Sequence, residues 1–272
     1  MLHFLTILFQ SLLTTALLTS LALAQDDATT TETAVATEAA KRLDSNTDDQ
    51  GKVWLTVAGQ RELAFYLSET SGIAHGGVLL IPDLGHHPNT TGIIDSLRHH
   101  LAKQHWHTLA LDTADATEER TLQMIAAGIL SLNQHGVFNI AILGEGVGAA
   151  LALHYVATLP AIDKNQDEFE QIRALIMINA RNSIPGSSKN TLKKLTTIRQ
   201  PILDAYINSD YLQQQQAKIR KTVVGRKTGD FYYQQIRLPK VSYYQQGEDN
   251  RITQRIRGWL DKNVAGFMVD RK

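Results

Sequence analysis

The 272-residue sequence predicts an α/β fold: a mostly parallel, twisted sheet with helices on both faces and no large lid domain. Three observations predict it. Short, continuous apolar runs recur along the chain, as strands buried on both faces require. Segments of helical periodicity separate them, which is the alternation that builds a parallel sheet. The gap between the run ending at Ile178 and the one starting at Pro201 leaves room only for a short helix.

Each element rests on its residues. Residues 53–57 and 62–67 read as an antiparallel pair joined at Gly59-Gln60. Residues 77–81 (GVLLI) are a strand buried on both faces. The segment 91–104 carries Ile93, Ile94, Leu97 and Leu101 on one helical side. A strand at 108–111 precedes a helix over 118–134, whose Leu122, Ile125, Ile129 and Leu132 share a face. A strand at 139–143 runs into a glycine-rich turn and a helix over 147–158. Two more strands are expected at 174–178 and 201–207, a last one lies within 232–244, and a helix over 250–263 closes the domain. In such sheets ligands bind at the carboxyl ends of the strands.

The amino-terminal part reads differently. Residues 4–24 are apolar and end in Ala22-Leu23-Ala24, an A-x-A cleavage pattern, before Gln25-Asp26-Asp27. This predicts a signal peptide over 1–24 and a periplasmic mature protein. Met1-Leu2-His3 lacks the usual Lys or Arg, so the competing reading is an uncleaved anchor, the one route by which the chain would meet a membrane. Residues 25–51 are rich in Thr, Ala, Asp and Glu and bury too little to offset chain ordering, so they read as a disordered low-complexity linker. The folded domain is expected over 52–272.

Composition narrows the function classes. Lys+Arg and Asp+Glu both number 27, and this balance gives no basic footprint for nucleic acid. The absence of cysteine excludes disulfides, thiolate metal sites and a cysteine nucleophile.

The most informative segment is 139–152, NIAILGEGVGAALA. A strand, a five-residue turn framed by Gly144 and Gly148 and an Ala-rich helix are the setting of the G-x-S-x-G nucleophile elbow. Here the chain resembles the α/β-hydrolase superfamily, in element order over about residues 53–263. The loop Pro82-Asp83-Leu84-Gly85-His86-His87 stands where that family places its oxyanion loop, and 201–210 resembles its strand ending at the catalytic acid, here Asp210. More narrowly, the exported amino terminus, LLIPDLGHHP and GEGVGAALAL resemble an uncharacterised exported bacterial family, domain of unknown function 3530. That narrower resemblance carries no activity with it.

The departures from the superfamily pattern decide the functional expectation. The nucleophile position is Gly146, which has no side chain to form an acyl intermediate. The family's histidine lies near the carboxyl terminus, yet the last histidine here is His154. Asp210 holds the acid position with nothing to orient. Catalytic residues are therefore expected to be absent, with Gly146 and Asp210 as degenerate positions. The backbone N–H of Val147 and one from Leu84-Gly85 remain as a carbonyl- or anion-binding nest, so Leu84, Gly85 and Val147 are the ligand-binding candidates. The expected role is a periplasmic binding or scaffold protein for a small ligand or an envelope protein, with no cofactor and no metal. The alternative is an esterase-like hydrolase with a site unlike Ser-His-Asp.

Three rival readings stand beside it. Gly144, Gly146 and Ala149 satisfy the dinucleotide pattern G-x-G-x-x-A, but two parallel strands precede it and the next strand ends at Asn179 rather than an acid. His86, His87, His99, His100, His105 and His107 crowd one stretch, yet His99 and His100 are helix neighbours that point apart, and no H-E-x-x-H occurs. Ser183, Ser187 or Ser188 would serve as a relocated nucleophile only with Lys or Asp as base. Glu145 is read as facing solvent or capping the helix. The glutamines at 213–216, 234, 235, 245 and 246 have no assigned role.

Overall fold

The computed structural model describes residues 51–159, 172–184, 186–207, 211–225, 232–240 and 249–266. The chain divides into two units, Met1–Asp49 and Gln50–Lys272. The first, which holds the expected signal peptide and most of the linker, lies outside the described residues, as does Asp210.

A hairpin opens the second unit. Strands β1 (Lys52–Val57) and β2 (Gln60–Leu67) pair antiparallel, with Val57 opposite Gln60. The turn is Ala58-Gly59, one residue earlier than the sequence reading. Both residues have positive φ, 46° and 80°, the combination whose twist matches that of the flanking strands. Six further strands complete the sheet: β3 (Gly76–Ile81), β4 (Trp106–Leu111), β5 (Ile140–Glu145), β6 (Ile172–Ile178), β7 (Ile202–Ile207) and β8 (Tyr233–Leu238). The sheet order is β1-β2-β4-β3-β5-β6-β7-β8, antiparallel only at β1-β2 and β2-β4.

The helices are α1 (Ile93–Ala102), α2 (Glu118–Gln134), α3 (Gly146–Val156), α4 (Thr191–Leu195), α5 (Tyr211–Val224) and α6 (Arg251–Asn263). Side chains alternate across each strand, so the two faces can be read off β3. Val78 and Leu80 pack with Ile94, Leu97 and Leu101 of α1 and with Ile252, Ile256 and Leu260 of α6. Leu79 and Ile81 pack on the other face with Met124 and Ile125 of α2 and Leu153 and Val156 of α3. Each fully buried aliphatic side chain contributes about 1.5–3 kcal/mol. Side-chain caps fix the starts of α2 and α6: Thr117 accepts from the Arg120 N–H, and Asn250 forms a capping box with Thr253. No helix among the described residues is long and apolar enough to cross a membrane.

Helix α5 has no counterpart in the sequence reading. It buries only Ala217 and Arg220, so it shows almost no apolar stripe. Its anchor is an ion pair instead. Arg220 donates from Nε (2.9 Å) and Nη2 (2.8 Å) to the two carboxylate oxygens of Asp204 in β7, both residues being fully buried. Gln235 and the Tyr233 hydroxyl also donate to Asp204, and Arg220 Nη1 bonds the Ala180 carbonyl and Asn182. Two buried charges are tolerated because their hydrogen-bonding capacity is met. Part of the glutamine richness acquires a physical role here. Gln216 binds the Asn182 backbone and side chain, and Gln235 spans from Asp204 to the Ala217 carbonyl.

Candidate functional site

The register of β3 on β5 builds the site. Ile81 pairs with Gly144, so continuing both parallel strands by two residues brings Asp83 beside Gly146 at the carboxyl end of the sheet. Gly146 has φ +56°, the left-handed conformation of an elbow, which glycine adopts without strain. The frame around it is a packing device. A Cβ on Gly144 would lie 2.5 Å from the Ala149 Cα, and one on Gly148 would lie 2.1 Å from the Pro82 carbonyl oxygen.

Gly146 differs from its framing glycines in what it faces. A Cβ there would stand 2.3 Å from the Asp83 carboxyl carbon. The Asp83 carboxylate therefore fills the space that a serine side chain would take. It also occupies the donors. Asp83 Oδ1 accepts from the Val147 N–H at 2.7 Å and from the Leu84 N–H at 3.0 Å. Val147 lies in the first turn of α3, where the helix dipole favours a negative group. Two of the three expected nest residues, Leu84 and Val147, thus converge on one point, and the protein's own carboxylate holds that point. Gly85 does not join them, because its N–H donates to the Thr113 carbonyl at 3.3 Å. The Thr113 hydroxyl in turn ties the loop through the Asp83 and His86 carbonyls.

Glu145 makes this a two-carboxylate site. It is the N-cap residue of α3, but its side chain makes no capping bond. It is half-buried rather than open to solvent. Burial first, and the nearby Asp83 charge second, push its carboxyl up to about 7. Sequence reasoning missed Asp83 and Glu145 as a pair. Only the β3-β5 register could have signalled it.

The histidines disperse. His87 Nδ1 accepts from the Asn89 N–H, which leaves Nε2–H facing Asp112 Oδ2 across 3.3 Å. Burial lowers the His87 imidazole and raises the Asp112 carboxyl, favouring the neutral form of each. This ring meets Phe65 of β2 edge-on, at 5.2 Å between centroids. His99 faces Asp95, His100 faces Asp249, His107 bonds the Tyr66 hydroxyl, and His105 bonds Ser71. Among the described residues no three His, Asp or Glu side chains gather as a metal site would need. Of the serines, Ser187 donates to Glu118, which also holds Lys189 at 2.7 Å; Ser183 bridges to Asn190, and Ser188 is exposed in the loop between them.

The sequence profile described as "Protein of unknown function (DUF3530)" matches residues 6–124 and 112–262. The chain belongs to this family. No curated protein matches the sequence. Solved structures with the same fold include the dienelactone hydrolase of Anabaena variabilis, with TM-score 0.60 and 13% identity over 79% of this chain and 98% of that one. The esterase domain of a Rhodothermus marinus protein matches with TM-score 0.57 and 12% identity, over 79% and 98%. An acylaminoacyl peptidase of Pyrococcus horikoshii matches with TM-score 0.58 and 10% identity, over 86% of this chain and 44% of that one. At these identities the likeness shows the α/β-hydrolase fold.

Proposed function

We propose that this DUF3530 protein is an exported α/β-hydrolase-fold protein without serine-hydrolase activity, which works by binding a small ligand or an envelope partner in the periplasm. One observation carries the reading: the Asp83 carboxylate fills the nucleophile's space and takes both backbone donors that would stabilise an oxyanion. A carbonyl substrate would have to displace a charged, hydrogen-bonded group before reaching them. It would then meet no nucleophile, since Gly146 offers none. The signal-peptide pattern at Ala22-Leu23-Ala24 supports export, with residues 25–51 as tether. The test is incubation of the purified protein with a fluorophosphonate probe and a panel of p-nitrophenyl esters. Neither labelling nor turnover above buffer is expected; covalent labelling of any serine would refute it.

A second reading has one observation in its favour. Asp83 and Glu145 are neighbouring carboxylates, and Glu145 is poised near neutrality, the range of a general acid or base. Under this reading the protein is a hydrolase that activates water without a serine. Ester turnover that titrates near pH 7 and disappears in Glu145→Gln would establish it in place of the first.

A further inference from the structure

A cavity of about 380 Å³ lies between α6 and the edge formed by β7 and β8. Leu203 and Gln234 are the second residues of those parallel strands and Ile236 lies mid-strand, so the cavity sits towards their amino ends, away from the carboxyl-end site of Asp83. Leu203 and Ile236 give it an apolar wall. Arg255, Gly258, Trp259 and Lys262 supply the helix side, at the i, i+3, i+4, i+7 spacing of one helical face. The volume falls at the low end of small-molecule pockets, roughly 300–1,000 Å³.

Three features of that face go beyond packing. Gly258 stands inside a helix, where glycine costs about 1 kcal/mol relative to alanine, and a Cβ there would meet nothing within 4 Å. No close contact demands the glycine, and any larger side chain would project into open space. Trp259 supplies the floor through its buried ring, with its indole N–H out of reach of solvent and without an acceptor among the described residues. Finally, among the described residues the lining includes two cations and no acidic side chain. Arg255 donates to the Arg237 carbonyl, while Lys262 has no carboxylate partner among the described residues. The neighbouring Asp261 is taken by Trp106 and His75.

We propose that this cavity binds a small amphiphilic carboxylate, with its apolar body on Leu203, Ile236 and Trp259 and its charged head at Arg255 and Lys262. The carboxylate is the acceptor that the two cations call for. The absence of a side chain at Gly258 keeps the space open. Binding here does not depend on whether the Asp83 site is silent or active.

The test is calorimetric titration of the full-length protein with decanoate below its micellar concentration, beside decanol and acetate. Saturable decanoate binding is expected, with decanol at least about tenfold weaker and acetate not binding, tenfold being about 1.4 kcal/mol. Gly258→Leu is expected to fill the cavity, abolish binding and leave Tm unchanged or higher. The double variant R255Q/K262Q is expected to weaken binding by about tenfold or more. Absence of decanoate binding, equal affinity for decanol, or undiminished binding by folded Gly258→Leu or by R255Q/K262Q would overturn the proposal.

Discussion

Replacing Gly146 by alanine tests the central claim about the site. Two costs are expected. An L-residue at φ +56° pays about 1–2 kcal/mol for the left-handed conformation. The new Cβ would also stand 2.3 Å from the Asp83 carboxyl carbon, so Asp83 must leave and give up its bonds to Val147 and Leu84. Hydrogen bonds to a charged group contribute about 1.5–3 kcal/mol each, and water can replace part of that at a half-buried position. The single variant should therefore lose about 3–5 kcal/mol, the sum of strain and lost bonds. In an Asp83→Ala background the same change should cost only the backbone strain, about 1–2 kcal/mol. The two substitutions should then couple by about 2 kcal/mol, within the range for residues in contact. Urea denaturation of the four proteins at one pH reads this directly. Additive losses would show that Asp83 does not occupy the elbow and would remove the basis for a blocked oxyanion site.

Other perturbations probe the remaining groups. Glu145 is raised from an ordinary 4.5 to about 7, so the folded state binds the extra proton between those values and stability should fall as pH rises from about 4.5 to 7. Glu145→Gln should flatten that slope in Tm against pH; an unchanged slope would assign it to other groups. Asp204→Ala strands the buried Arg220 charge and should cost about 3–5 kcal/mol in denaturant unfolding, while a loss under about 1 kcal/mol would mean that water reaches the pair. Mass spectrometry of protein expressed in a Gram-negative host should show a mature chain beginning at Gln25; an intact Met1 would favour the anchor reading.

Most of the sheet is legible in the sequence because strands buried on both faces leave continuous apolar runs, and β3, β5 and β6 are such runs. Helix α2 is legible residue for residue because its apolar positions repeat with the helical period and Thr117 caps it. Helix α5 is illegible for the opposite reason: a buried arginine anchors it, and one buried cation among glutamines and exposed lysines carries no period. At the site, sequence motif places Leu84 and Val147 near one another, and the structure brings their N–H groups to one point. What motif cannot express is occupancy. Asp83 reads as one residue of a loop, and Glu145 as a solvent-facing one, because their mutual approach depends on strand register rather than on spacing along the chain.

The glycine frame around Gly146 has its cause in the same geometry. Gly144 and Gly148 let α3 press against β5 and the end of β3, and a Cβ on either would stand under 3 Å from its neighbours. Their requirement is structural and holds whether or not a nucleophile stands between them. Gly146 answers to two constraints that catalysis does not impose together, a left-handed backbone and an adjacent carboxylate. A serine meets the first only with strain and the second only if the Asp83 carboxylate swings aside and gives up its bonds to Val147 and Leu84. Retention of the glycine frame is thus no argument for hydrolysis in this chain. The residue that carries functional information is Asp83, because its side chain takes the Val147 and Leu84 N–H groups at the head of α3.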